Sequence, residues 1–192
     1  MKNKVTVVGM GALGSQFILM CRNFAVDWKV IDFDKVEGKN LMSQYHTKMV
    51  VGANKAKAVQ KSMQGLYGLR INANPHKLTA LNVDELLGGS DLIVDCVDNG
   101  ATRVIIQSWA KENNVPCLHG ALSIDGQLGR SVWSEIFTVD FEDTEGQPTC
   151  ENGEHLPFIG LTVSALAMSA QAFLEHDKRV SYQTFTNGMI SL

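Results

Sequence analysis

The sequence predicts an α/β fold: a mostly parallel sheet with helices on both faces and antiparallel strands added at the C-terminal end. Three observations predict it. Short β-branched runs alternate with helical apolar spacings from residue 4 to residue 119. A glycine-rich turn, Gly9-Met10-Gly11-Ala12-Leu13-Gly14, stands between the first strand and the first helix. After Gly120 the strand-like segments follow one another with no helix between them, which suggests antiparallel pairing.

The elements follow in order. Lys4 to Val8 is a β-branched run ending in Gly9, and Ala12 to Phe24 has helical apolar spacing. Trp28 to Ile31 is a second apolar strand that stops at Asp32. Lys55 to Leu66 reads as a helix with Ala56, Val59 and Met63 on one face. Leu78 to Leu81 reads as a weak strand, Leu92 to Val94 as a clear one, Thr102 to Asn113 as a helix and Pro116 to His119 as a strand. Strand and helix alternating in this way make residues 1–120 a Rossmann-like half. Beyond it, Gln127 to Trp133 and Ile136 to Val139 are β-rich. Thr138 to Glu154 is acidic and turn-rich and reads as a mobile crossing loop. Leu156 to Glu175 is a long apolar helix, and Val180 to Thr186 alternates as a last strand. No repeat or linker interrupts the chain, so residues 1–192 are expected to form one domain, with residues 121–192 completing the Rossmann-like half.

Composition narrows the classes. The chain has 192 residues, of which 45% are hydrophobic and 19% charged, a globular balance able to bury a core. A net charge of −3 gives no general attraction to nucleic acid or anionic membrane. The longest apolar stretch, Leu161 to Ala170, is broken by Thr162, Ser164 and Ser169, so no membrane span is expected. The start, Met1 to Thr6, runs straight into a strand without the apolar region of a signal peptide. Cys21, Cys96, Cys117 and Cys150 form no CxxC pair, which argues against a zinc knuckle and for a reducing, cytoplasmic setting. The histidines have no ligand spacing, and Trp28, Trp109 and Trp133 read as core or interface anchors.

The glycine turn carries the strongest local signal. Gly9 would make the tight turn, Gly11 would admit a phosphate to the backbone, and Gly14 would let helix and strand pack closely. The helix start would then offer unpaired N–H groups to the anion. Asp32 lies about 20 residues further on, where a carboxylate commonly holds a ribose hydroxyl. Thus far a dinucleotide and ATP are equally served. Asp34, Asn40 and Lys55 separate them, because a lysine opening the next helix suits phosphoryl rather than hydride chemistry. Asp98 closes the run Asp95-Cys96-Val97-Asp98-Asn99 at a strand's carboxyl end, where it could bind Mg²⁺ or, with Asn99, cap the next helix.

Taken together these residues resemble the ubiquitin-activating-enzyme-like adenylyltransferases, the ThiF/MoeB/HesA group. The resemblance extends through Asn40-Leu41, Gly52 with Lys55, Asn74-Pro75-His76, Gly120-Ala121, Gly126-Gln127 and Leu156-Pro157-Phe158-Ile159-Gly160. It implies binding of MgATP and attack on the α-phosphate by a C-terminal carboxylate of a ubiquitin-like or sulfur-carrier protein or a peptide. By the same resemblance Asp32 meets the ribose, Asn40 and Lys55 meet the phosphates, and Asp98 holds Mg²⁺. Cys150, in the crossing loop, falls where many members carry a cysteine that accepts the acyl group or sulfur, and a homodimer or a complex with a partner subunit is implied. The sequence departs from the group in several places. Met42-Ser43-Gln44 lacks the usual arginine before the glutamine, the usual N-terminal helix and paired zinc cysteines are missing, and the C-terminal part is short. Arg22, Lys39, Lys48 and Arg103 are the candidate replacements, as is an arginine from a partner. An NAD(P)-dependent oxidoreductase and a degenerate nucleotide-binding subunit remain the alternative readings.

Overall fold

The computed structural model describes residues 2–123, 127–139 and 156–192. The elements, in order, are β1 (Lys4–Val8), α1 (Ala12–Met20), β2 (Asp27–Ile31), α2 (Lys55–Tyr67), β3 (Ile71–Asn74), α3 (Val83–Leu87), β4 (Leu92–Asp95), α4 (Gly100–Glu112), β5 (Cys117–Leu122), β6 (Leu128–Trp133), α5 (Leu156–His176), β7 (Tyr182–Phe185) and β8 (Gly188–Ser191). Two short 3₁₀ turns, Gly38–Met42 and Lys48–Val50, lie between β2 and α2. All eight strands join one sheet in the order β3-β2-β1-β4-β5-β6-β7-β8. The first five pair parallel and the last three antiparallel, as the change of texture after Gly120 predicts.

The central strands are apolar on both faces because both faces are covered. Val5, Val7, Val30, Leu92 and Val94 belong to one core with α1, α2 and α5. Val8, Ile31 and Ile93 belong to another with α3 and α4. Helix α1 therefore leaves β1 toward one face while α4 leaves the neighbouring β4 toward the other. Between them opens a crevice at the carboxyl ends of the strands, the switch point of a doubly wound sheet.

Four local expectations are corrected. Helix α1 ends at Met20, not Phe24: the Cys21 N–H caps it on the Phe17 carbonyl, and the chain turns so that Phe24 stacks on Trp28. The third strand is Ile71–Asn74 rather than Leu78 to Leu81. Its Asn72 and Asn74 disguise the alternation, and Leu78 is instead a buried plug against α3 and α4. Ile136 to Val139 forms no strand, because the N–H groups of Ile136 and Phe137 both turn back to the Trp133 carbonyl. Finally, β7 continues into an antiparallel partner, β8, across a turn holding Asn187-Gly188, a dipeptide that itself signals a hairpin. The short α3 also escaped the periodicity reading.

Helix α5 is long and apolar enough, by length and composition, to cross a membrane, contrary to the reading from the broken apolar run. Here its apolar side is core: Val163, Leu166, Ala167 and Ala170 pack with α1 and the sheet. Its small residues serve this internal contact. Ser169 Oγ lies 2.8 Å from Ser131 Oγ on β6, and Thr162 Oγ1 lies 2.8 Å from Thr184 Oγ1 on β7. Gly129 is required at this contact, because a Cβ there would overlap both threonine hydroxyls.

Gly129→Ala is expected to destabilise the protein by about 1–3 kcal/mol through overpacking. Gly65→Ala, on α2 with open space around it, should stabilise it by about 0.5–1 kcal/mol. Paired denaturant titrations check both; equal midpoints for the two variants would refute the packing account.

Candidate active site

The glycine turn adopts the geometry that its spacing predicts. Gly9 has φ +90° and sits so close to the next strand that a Cβ would lie 2.7 Å from the Cys96 carbonyl oxygen. A Cβ on Gly14 would overlap the Gly9 carbonyl, so helix and turn touch there. Gly11 is different. The nearest atom to a Cβ placed on it is Gln44 Nε2, 4.0 Å away, so its space opens into the crevice. Gly11 is also the N-cap of α1 and offers no side-chain cap, which leaves the first-turn N–H groups for an anion.

Asp32 fastens this turn to β2. Its Oδ2 accepts the Met10 N–H at 2.6 Å and its Oδ1 accepts the Asp34 N–H at 2.8 Å. Burial raises its pKa to about 6, against the opposing pull of the Met10 hydrogen bond and Lys55. Beneath the turn His46 Nε2 lies 3.1 Å from the Met10 carbonyl, and desolvation holds the ring below its ordinary pKa. The polar segment after β2 is held by its own side chains. Asn40 Oδ1 accepts the Glu37 N–H at 2.8 Å in a capping box. Asn54 Nδ2 donates to the carbonyls of Asp32 and Asp34, at 2.7 and 3.1 Å, while its Oδ1 caps α2 on the Lys57 N–H. That cap sets Lys55 as the first residue of α2, with Nζ 3.3 Å from Asp34 Oδ2. The side chain is 12% exposed against 49% for Asp34.

On the other side of the crevice the Asp95 carboxylate is fully buried. It meets Arg103 Nη1 at 3.1 Å and His119 Nδ1 at 2.7 Å, and Oδ1 accepts the Val97 N–H at 3.0 Å. Burial alone would raise its pKa, but Arg103, His119 and the Val97 N–H hold it below the usual carboxylate range. Arg103 also donates to the carbonyls of Val97 and Gly120. His119 Nε2 continues to Ser134 Oγ at 2.7 Å, and Phe137 stacks on the imidazole. With Asp95 ionised, His119 Nδ1 is the donor of the Asp95–His119 pair. This cluster shapes the turn that presents Asp98. Asn99 caps α4 by accepting the Thr102 N–H at 3.0 Å, so the Asp98 carboxylate is not spent on the cap.

These walls enclose a cleft of about 250 Å³ lined by Gly9, Gly11, Asp32, Asp34, Asn40, Lys55 and Asp98. Of the predicted site residues, Gly14 works from behind the turn and Cys150 lies outside the described residues. Among the candidate replacement cations, Lys39 lines the cleft. Arg103 also lines it, but its guanidinium is spent on Asp95 and two carbonyls. Arg22 points elsewhere, over the Tyr67 ring and onto the Leu19 carbonyl, and Lys48 is not in the lining. Arg130 and Lys77 line the cleft without having stood out in the sequence, and Phe33 of the Asp32-Phe33-Asp34 turn lines it too. Lys77 lies 5.3 Å over the Phe33 ring at the β2–β3 end. Cys21, Cys96 and Cys117 are buried with their thiols pushed well up by desolvation, as core cysteines are.

Fold and cleft together define the class: a doubly wound α/β protein with a glycine turn lining the cleft at its switch point. More particularly, residues 1–188 match the ThiF family, and the chain belongs to that family. It is 29% identical over 177 residues to the adenylyltransferase and sulfurtransferase UBA4 of Lodderomyces elongisporus, covering 86% of this chain and 39% of that protein. It is 38% identical over 130 residues to the sulfur carrier protein adenylyltransferase of Thermus thermophilus, covering 65% of this chain and 47% of that protein. The chain therefore spans less than half the length of these relatives. Among solved structures, E. coli MccB with AMPCPP and MccA superposes with a TM-score of 0.79 at 12% identity, covering 99% of this chain and 63% of MccB. That likeness confirms the fold.

Two outcomes are expected here. Asp95→Ala leaves the Arg103 guanidinium buried without its partner and should cost about 3–5 kcal/mol, read by chemical denaturation. Asp32 keeps its proton in the native state to about pH 6, whereas the unfolded chain releases it near the ordinary value. This group therefore lowers stability as pH rises between about 4 and about 6. A carbon-detected NMR titration of Asp32 should show a midpoint near 6, and a midpoint near 4 would contradict the burial argument.

Proposed function

We propose that the chain is a MgATP-dependent adenylyltransferase acting on the C-terminal carboxylate of a ubiquitin-like or sulfur-carrier protein, or of a peptide. The observation that carries this reading is that Lys55 and Asp98, far apart in sequence, line one cleft with Asp32 and the uncapped start of α1. Membership of the ThiF family and the names of the relatives support it. So does the AMPCPP and MccA complex of the similarly folded MccB.

In this reading Asp32 accepts a ribose hydroxyl, and the N–H groups at Gly11 and the start of α1 cradle the phosphates. Asn40 and Lys55 hold them from the β2–α2 side. A substrate carboxylate oxygen attacks the α-phosphorus, the bond to the β-phosphate oxygen breaks, and pyrophosphate departs with its electron pair. The product is an acyl-adenylate, in which AMP has become a good leaving group. The chain's task is to position two anions and offset their charge, so fixed dipoles and cations matter more than proton transfer. Asp98 would hold Mg²⁺, which when bound neutralises phosphate charge; a single carboxylate suits an ion that takes its other oxygens from phosphates and water. Onward transfer to a thiol, with AMP leaving, falls to Cys150 or to another protein's cysteine, because Cys21, Cys96 and Cys117 are buried. The reading includes a cytoplasmic setting and assembly as a homodimer or with a partner subunit.

ATP with Mg²⁺ should raise the melting temperature while NADH leaves it unchanged; the reverse pattern would favour the oxidoreductase. Lys55→Ala and Asp98→Asn should each lower carrier-dependent pyrophosphate exchange roughly 10²–10³-fold. Full exchange by the Lys55 variant would remove that residue from the mechanism.

A further inference from the structure

The cations of the cleft are distributed unevenly. Lys55 and Lys39 belong to the segment that follows β2, and Lys77 lies at the β2–β3 end against Phe33. Arg103 has its guanidinium turned to Asp95 and the carbonyls of Val97 and Gly120. The opposite wall is built by β5 and β6, and there Arg130 lines the cleft.

The position of Arg130 follows from register. It pairs with Ala121 on β5 and Gln183 on β7, so its backbone is held on both sides. On β6 the alternate residues Gly129, Ser131 and Trp133 face α5: Ser131 reaches Ser169, Trp133 packs on Phe173, and a Cβ on Gly129 would overlap Thr162. Strand alternation then turns Arg130 to the face that carries His119 and α4. A one-residue slip would bury the guanidinium against α5, which the Ser131 and Trp133 contacts forbid. A charged residue is thus held by a rigid strand at the cleft's far end, four strands from β2, or about 19 Å at the usual strand spacing.

We infer that Arg130 is the oxyanion-holding residue of this far wall. This rests on the adenylation reading above. In that reaction two oxyanions can reach the β6 wall: the far end of the nucleotide's phosphate chain and the attacking substrate carboxylate. Both suit a guanidinium, which offers paired N–H donors to planar or tetrahedral oxygens. The residue is a binding and positioning group, and it needs no proton transfer.

The test compares wild type, Arg130→Ala and Arg130→Lys by calorimetric titration with MgATP and with adenosine. A second arm uses a fluorescent peptide ending in Gly-Gly, as the free carboxylate and as the C-terminal amide, added to the MgATP complex. Loss of a charge-assisted contact should weaken the affected ligand about tenfold, with part recovered in the lysine variant. Adenosine affinity should stay within about twofold, which also shows that the variant is folded. A loss for MgATP but not adenosine assigns Arg130 to the phosphates. A wild-type preference for the carboxylate peptide that vanishes in Arg130→Ala assigns it to the substrate. The proposal is overturned if MgATP affinity is unchanged and the alanine variant shows the same carboxylate-over-amide ratio as wild type, including a ratio of one in both. Failure of the wild type to bind either adenosine or MgATP would instead overturn the adenylation reading itself, and this inference with it.

Discussion

The cleft exists because two adjacent parallel strands send their helices to opposite faces of the sheet. β1 turns into α1 on one side and β4 into α4 on the other, so among the described residues neither helix covers the strand ends between them. The turn into α1 is narrow enough only because Gly9 and Gly14 bring backbone against backbone. Every polar group of the candidate site is then arranged around that gap.

The two sides of the gap are stabilised differently. On the β2 side the polar segment is woven by neutral hydrogen bonds: Asn54 bridges the Asp32 and Asp34 carbonyls, and Asn40 closes a capping box. These bonds hold carboxylates and Lys55 in the lining of the cleft. On the β4–β5 side the anchor is ionic and buried. Asp95 is compensated by Arg103, His119 and a backbone N–H together, a degree of pairing that a charge removed from water requires. Phe137 caps this cluster by stacking on His119 and lying under the Arg103 guanidinium. The outcome is a rigid wall beside Asp98, while Asp98 itself stays exposed.

Much of the site was legible because its parts are local. Gly9 to Gly14, the Asp32-to-Asp34 turn and Asp95 to Asn99 each sit at a strand's carboxyl end, and a parallel sheet gathers such ends on one rim. The elements that were misread are those in which local pattern and tertiary role diverge. Leu78 looks like strand and is a plug, whereas Asn72 and Asn74 look like loop and are strand. Arg103, a candidate replacement cation by sequence, proves to be the buried partner of Asp95, a contact across eight residues of chain and two elements.

By itself, the sequence determined the alternation of strand and helix, the glycine turn and the acidic residues at the strand ends, because these follow from backbone freedom, side-chain period and short spacing. Only the tertiary structure decided which cations face the cleft. Strand register turns Arg130 inward and Ser131 toward α5, and burial commits Arg103 to Asp95. Register and burial are set by contacts between residues distant in the chain, and no local window of sequence contains them.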